Sequence, residues 1–318
     1  MRKFLLLVCL ASLCVNSSYA KKWRVNNSQG IAADFTSIIA AHNAASPGDT
    51  LYIEGSVNRY DAGNEVSIAK KLLIIGPGYF LTANEFTQAN KQAAEVRELN
   101  FLEGSDGSVV MGMDIRSLNV RATSIIVQRN HIDYLLLRST SSIVLQNYIG
   151  GYIQDFGGSG LISHNIFNYM YSGYQNASYR VINNVIFSQG SNVFNVYNST
   201  ITNNIILGSM NIDPDQRGAI SYNIFAQAGD NSNNNKFNVD MTTVFVTGGS
   251  TDGKYQLKEG SPAKGVGENG IDCGVFGGST PYVLSGIPPG PSIYEASAPA
   301  SASKGAGLPV TLKIKSHN

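Results

Sequence analysis

IIVQRNHI (125–132), IVLQNYI (143–149), LISHNIF (161–167), RVINNVIF (180–187), TITNNIIL (200–207) and AISYNIFA (219–226) are six copies of one phrase: an apolar pair, one or two polar residues, an asparagine, then apolar residues. The asparagines are Asn130, Asn147, Asn165, Asn184, Asn204 and Asn223, at spacings of 17, 18, 19, 20 and 19. VVMGMDI from Val109 is an earlier, weaker copy. A period near 19 is too short for most strand–helix repeats. It holds two or three short strands with tight turns, which is one coil of a β-solenoid. Alternation puts Ile201 and Ile205 on one face of a strand and Thr202 and Asn204 on the other. Coils stack about 4.8 Å apart, so like residues form ladders along the stack. Asparagine suits such a ladder because it tolerates the left-handed backbone of a turn and its amide can bond to the asparagine above and below. A polar β-sandwich fits less well, since sandwich strands seldom repeat one residue at near-constant spacing.

Upstream of the repeats the chain opens on a secretory pattern. Arg2 and Lys3 precede an apolar run over 4–15, and Ser18-Tyr19-Ala20 places small residues where a signal peptidase reads. A signal peptide over 1–20 is therefore expected, in preference to an anchor helix or to lipoprotein processing before Cys14, where Leu13 stands in place of a small residue. Loss of Arg2 and Lys3 leaves 21 of the 23 Lys+Arg against 22 Asp+Glu, a formal charge of −1. Such a balance argues against nucleic acid or an anionic membrane as partner, and no transmembrane segment is expected in the mature chain. Cys9 and Cys14 leave with the signal, and Cys273 alone can form no intrachain disulfide. A secreted chain without disulfides must be held by a large core and its backbone ladders. Charged residues make up only 14%, while Asn, Ser, Gly and Tyr are plentiful, which fits an all-β exported protein.

A solenoid must close its ends. Asp34 is expected to N-cap an amphipathic helix near 34–45, with Phe35, Ile38, Ile39 and His42 or Asn43 at helical spacing and Ser46-Pro47-Gly48-Asp49 ending it. Strands are then expected at Thr50-Leu51-Tyr52-Ile53 and at Lys71-Leu72-Leu73-Ile74-Ile75. The stretch DFTSIIAAHNAASPGDTLYIEGSVNRY followed by KLLIIGPGYFL resembles the opening of pectate-lyase-like right-handed parallel β-helix proteins, in which a capping helix leads into a "GDT" strand and a "GPG" turn. The tail YQLKEGSPAKGVGENGIDCGVFGG with PYVLSGIPPGPSIY resembles the closing segment of secreted β-helix proteins of Bacteroidetes, many without an assigned activity. The resemblance implies a right-handed parallel β-helix over 21–278, exported to the periplasm or cell surface of a Gram-negative bacterium. Residues 82–100 and 227–238 read as excursions from turns. The Pro/Ala/Ser-rich segment 279–318 reads as an extended wrapper whose end, 308–314, can form a strand covering an edge.

The chemistry is less legible than the fold. The resembling hydrolases carry Asn-Thr-Asp and Asp-Asp motifs, and the lyases a Trp-x-Asp-His motif; none occurs here, and Trp23 is the only tryptophan. If Ile115, Ile132 and Ile149 point inward on successive coils, Asp114, His131 and Tyr148 form one outward column. Arg116 and Asp133 stack in the next, with Arg129 close by. A β-elimination lyase needs a base and a cation that neutralises a uronate carboxylate. His131, Tyr148, Arg116 and Arg129 are the candidate catalytic residues, and Asp114 and Asp133 the candidate Ca²⁺ ligands, against the plainer reading of solvated ion pairs. Tyr152, Tyr169, Tyr171 and Tyr174 are candidate sugar-stacking residues, grouped with Tyr148, Phe156 and Tyr179 within three coils. His164 reads as a turn residue. The expected function is binding of an extended polysaccharide, with lyase action on a uronate-containing glycan as the alternative. The sequons at Asn26, Asn176 and Asn198 are expected bare in a bacterial host.

Overall fold

The computed structural model describes residues 20–211, 218–303, 305 and 307–317; the expected signal peptide lies outside them except for Ala20. The described residues wind into a parallel β-solenoid of about nine turns and include one α-helix. Each turn gives one strand to each of two long parallel sheets. The first sheet runs β1 (Lys22–Val25), β2 (Thr50–Ile53), β4 (Leu73–Ile75), β6 (Val109–Met111), β8 (Ile126–Gln128), β10 (Ser142–Leu145), β12 (Ser159–Ser163), β14 (Ser178–Ile182), β17 (Thr200–Thr202) and β19 (Ile220–Ser221). The second runs β3 (Val66–Ile68), β5 (Glu95–Phe101), β7 (Asp114–Val120), β9 (His131–Leu137), β11 (Tyr148–Asp155), β13 (Ile166–Ser172), β15 (Val185–Ile186), β18 (Ile205–Ile206) and β20 (Ile224–Phe225), with β16 (Phe194–Asn195) also on β13. Inward residues make continuous buried columns, such as Val110, Val127, Val144, Ile162, Val181 and Ile201 on one wall and Ile115, Ile132 and Ile149 on the other. Each such side chain contributes about 1.5–3 kcal/mol by leaving water.

The asparagines align as one column, but they lie inside the solenoid. Each repeat is two strands, not one. The residue before each asparagine takes a left-handed backbone, at Arg129, Gln146, His164, Asn183, Asn203 and Tyr222, and turns the chain from one sheet to the other. That corner rotates the asparagine inward, so Asn204 is as buried as Ile201 and Ile205, contrary to strict strand alternation. Asn165 Nδ2 donates to Asn184 Oδ1 at 3.0 Å and to Val144 O on the coil before at 2.8 Å. The pattern repeats from Asn130 to Asn223 and ends on Asn235, whose Oδ1 accepts from Asn223 Nδ2 at 3.1 Å. Met113 holds the equivalent place in the weaker first copy, and its N–H donates to Asn130 Oδ1 at 3.1 Å.

The N-terminal end is covered by α1 (Ile38–Ala44), which buries Ile38 and Ala41. Its N-cap is Ser37, not Asp34: the Ser37 side chain accepts from Ala40 N at 3.1 Å, and Asp61 accepts from Ile38 N at 2.8 Å. Phe35 is drawn into a bridge with Val25, which keeps the backbone extended past Asp34 and delays the helix. Asp34 accepts instead from Arg24 N at 2.8 Å. Trp23 belongs to β1, a strand ahead of those expected, and donates to Asp49 Oδ2 at 3.0 Å.

The outward position after each ladder asparagine changes character along the axis. Ile166, Val185, Ile205 and Ile224 form an external apolar column, buried under Val244, Tyr255, Ala263, Cys273, Val275 and Tyr282 of the returning chain. Asp252 accepts from Asn84 Nδ2 at 2.9 Å and Ser285 N at 2.8 Å, and Tyr79 and Tyr282 hydroxyls meet at 2.5 Å, so this cover is pinned to the 79–87 loop. The tail does not end as an edge strand of the solenoid. β21 (Gly290–Ser297) and β22 (Thr311–His317) pair antiparallel with each other as a separate hairpin.

Candidate functional site

The external column that is aliphatic under the returning chain becomes polar and titratable towards the N-terminal coils. In register it reads Glu95, Asp114, His131, Tyr148, then Ile166. The stacking of Asp114, His131 and Tyr148 matches the expected column, but its exposure does not. Tyr148 is 8% exposed, wedged edge-on against Phe80 at 5.2 Å and stacked on Phe187 at 6.0 Å. Burial, and then the charge of Asp252, push its hydroxyl pKa up, which makes Tyr148 a poor base.

His131 sits at the boundary. Its side chain is 19% exposed, with the ring against Phe80 at 4.9 Å and Tyr79 at 5.8 Å. Nδ1 lies 2.9 Å from Asp114 Oδ1, and Nε2 lies 4.0 Å from Asp133 Oδ1. Burial opposes charge on the ring, but the Asp114 hydrogen bond and the carboxylates of Asp114, Asp133 and Glu95 outweigh it, and the pKa is raised. Gly150 occupies the next coil. A Cβ there would come within 3.8 Å of His131 Nε2 and 3.9 Å of Asp133 Oδ1, so glycine leaves that edge of the imidazole open.

The longer strands β5, β7, β9 and β13 bend at their middle. Ile115 and Leu118 are both fully buried, as are Ile132 and Leu135, so the two residues between them both face out. The first of the pair gives the column Arg97, Arg116, Asp133. The second gives Glu98, Ser117, Tyr134, Tyr152, Tyr169. Arg59, Glu95, Asp114, Arg116 and Asp133 line a cleft of about 220 Å³. Arg116 thus shares the cleft with Asp114 and Asp133, the two carboxylates nearest the His131 ring. Arg129 does not: it is buried at its corner, with Nε donating to Gln146 Oε1 at 2.9 Å and Nη1 to Ile287 O at 2.9 Å, and it fastens the tail. The Asp114–Asp133 pair suits Ca²⁺ poorly, because that ion takes about six to eight oxygens while one Asp114 oxygen serves His131 and two arginines share the cleft. No group of three or more His, Cys, Asp or Glu among the described residues could hold a metal.

Tyr134, Tyr152 and Tyr169 form a ring ladder along the axis, with centroids 4.9 and 5.6 Å apart. Tyr171 stands one outward position along, paired in register with Gln154, and Tyr174 follows beyond the strand, its ring 6.2 Å from Phe156. Tyr169, Tyr171 and Tyr174 are exposed; Tyr179 is buried and donates to Asp155 Oδ1 at 2.6 Å, a structural role. His164 is a turn residue, left-handed and buried, with Nε2 donating to Gly277 O at 3.0 Å.

Sequence reasoning did not include Arg59, Phe80, Arg97 or Tyr134. Tyr134 lies 18 residues before Tyr152, and Arg97 lies 19 before Arg116, so extending each column by one period reaches both. Arg97 Nε is buried with no hydrogen-bond partner in the protein. Phe80 comes from a loop far off in the period, which no spacing announces. No protein-family model, curated protein or solved structure matches this chain.

Proposed function

We propose that this chain is an exported protein of the pectate-lyase-like right-handed β-helix type that binds an extended polysaccharide along the outer face of its second sheet. The Tyr134–Tyr152–Tyr169 ladder carries the reading. Three aromatic rings in line, open on one side, offer successive sugar rings an apolar platform, and the hydroxyls add hydrogen bonds. Burial of aromatic surface suffices to explain Tyr148 and Tyr179; it does not explain Tyr169, which is 37% exposed. The cleft at one end of the ladder carries Arg59 and Arg116 beside Glu95, Asp114 and Asp133, so it offers a sugar chain charged donors and charged acceptors together. The test is titration calorimetry of the purified chain against neutral and acidic oligosaccharides of several units. Absence of binding across that panel, with the protein folded, overturns the reading.

A second reading rests on His131. In β-elimination on a uronate, a base removes the C5 proton, the C4–O bond breaks, a C4=C5 double bond forms and the leaving oxygen takes a proton. This reading takes neutral His131, whose Nδ1 lies 2.9 Å from Asp114 Oδ1, as that base and Arg116 as the partner of the carboxylate. Release of unsaturated uronate, read by its absorbance, tests this reading separately. Binding without that product leaves the first reading standing and removes the second.

A further inference from the structure

The C-terminal hairpin is amphipathic in the wrong sense for a lone molecule. Its polar face is turned to the body. Ser292 Oγ donates to Thr87 O at 3.1 Å, His317 Nε2 meets Ser292 Oγ at 3.0 Å, and Lys315 Nζ lies 5.0 Å from the Phe86 ring. Lys313 pairs with Glu295 at 2.8 Å. Alternation puts Leu312 and Ile314 on the opposite face, and an irregularity at Tyr294 brings both Ile293 and Ala296 to the same side, as the cross-strand pairs Ile293–Ile314 and Ala296–Leu312 show. Leu308 and Val310 continue the same alternation. Ile293, Leu308, Val310, Leu312 and Ile314 are 40, 55, 59, 50 and 61% exposed. No other described strand joins this two-stranded sheet.

We propose that this face is a self-association surface, occupied by the same face of a second copy of the chain. Three observations select a copy over another occupant. The face bears no charge, since Glu295, Lys313 and Lys315 all lie on its reverse, so it meets itself across a two-fold axis without like-charge contact. Its five large side chains present roughly 450 Å² on each copy, about 900 Å² for the pair, close to the ~1,000 Å² at which specific interfaces begin. A two-stranded hairpin is marginal in water, and stacking two of them face to face supplies the second layer that each lacks. A lipid surface is disfavoured because the lysines point away from the face that would enter it.

Sedimentation velocity of the purified chain from ~1 to ~100 µM is expected to show a monomer–dimer equilibrium. Ile314→Glu is expected to raise its dissociation constant at least ~30-fold, as loss of a central apolar contact does. Thr311→Glu, on the reverse face, is expected to leave it unchanged. The Ile314 side chain is exposed on the face turned away from the body, so the thermal unfolding of Ile314→Glu should match that of the parent. Independently, Leu312→Cys should oxidise to a disulfide-linked dimer, because Cys273 is buried and stays out of the reaction. A wild-type chain monomeric throughout that range, or association indifferent to Ile314→Glu, overturns the proposal, and so does vesicle or foreign-protein binding by a chain that stays monomeric.

Discussion

Asp114 and His131 occupy the same outward position of consecutive coils, and Asp114 Oδ1 lies 2.9 Å from His131 Nδ1. Burial lowers the pKa of the ring, the Asp114 hydrogen bond and neighbouring carboxylates raise it, and the net value stands above 6.5. A folded-state pKa above the unfolded one means that the proton is held more tightly in the native state. The stabilisation is therefore full below pH 6.5 and is lost as pH rises through the folded value. The stability difference between the parent and His131→Gln should be larger below pH 6 than above pH 8. Urea unfolding at both pH values checks this. A difference of equal size at both would remove the charged pair.

Binding of an acidic glycan is expected to follow the same proton. Imidazolium attracts an anion and neutral imidazole does not, so affinity should fall a few-fold as pH rises through the His131 titration. His131→Gln should flatten the profile. Calorimetry at matched ionic strength reads both, and a pH-independent affinity in the parent speaks against His131 facing the ligand.

The tyrosine ladder makes a prediction that separates platform from filler. Tyr152→Ala and Tyr169→Ala are each expected to weaken oligosaccharide binding by roughly 5- to 10-fold, the worth of one aromatic stacking contact. Tyr148→Phe should leave affinity intact, because that ring is buried among Phe80, His131 and Phe187. If Tyr148→Phe costs as much as Tyr169→Ala, the ligand does not lie along the ladder.

The solenoid was legible because its ladder is written in one residue type at one spacing. Asn130 to Asn223 recur where a buried amide must answer the coils on either side, and no loop interrupts that count. The inward columns followed from the same period. The exposure of the site was not legible. Tyr148 and His131 share a column with Asp114, and nothing local tells that Phe80 and Tyr79, some fifty residues upstream, lie over them. Arg129 shows the same blindness from the other side. Its place next to Asn130 is periodic, but its role is set by Ile287, far along a tail that follows no period. The corner itself escaped the strand pattern, because Arg129, Gln146 and Tyr222 are unusual residues for a left-handed backbone and only His164, Asn183 and Asn203 advertise it.

Asn165 tests the ladder. It donates to Val144 O, Ser163 O and Asn184 Oδ1, and its Oδ1 accepts from Asn147 N and Asn147 Nδ2. Asn165→Leu leaves donors of Asn147 and an acceptor of Asn184 buried without partners, at about 1–3 kcal/mol each before relaxation. A loss of at least ~3 kcal/mol in denaturant unfolding is expected, or failure to fold. Asn198→Ala, at an outer turn with left-handed backbone and one side-chain bond to Gln175 O, should cost less, about 1–2 kcal/mol. Equal effects at the two positions would mean that the inner column is not what holds the coils in register.

Asp252 offers a way to lift the cover without breaking the stack. It is fully buried, and it accepts from Asn84 Nδ2, Ser250 Oγ, Ser285 N and Tyr282 Oη across the 79–87 and 282–287 loops. Asp252→Ala leaves those donors buried and unanswered, and the returning chain gives way before the solenoid does, because the coils keep their own ladders. Cys273 reports the event. Burial pushes its thiol up to about 12, and Sγ lies 3.2 Å from Tyr222 O, so it should resist a thiol reagent at pH 8 in the parent. Asp252→Ala is expected to speed its labelling at least ~10-fold while the far-ultraviolet dichroism of the sheets persists. Unchanged labelling with a lower unfolding midpoint would instead tie the cover and the coils into a single cooperative unit.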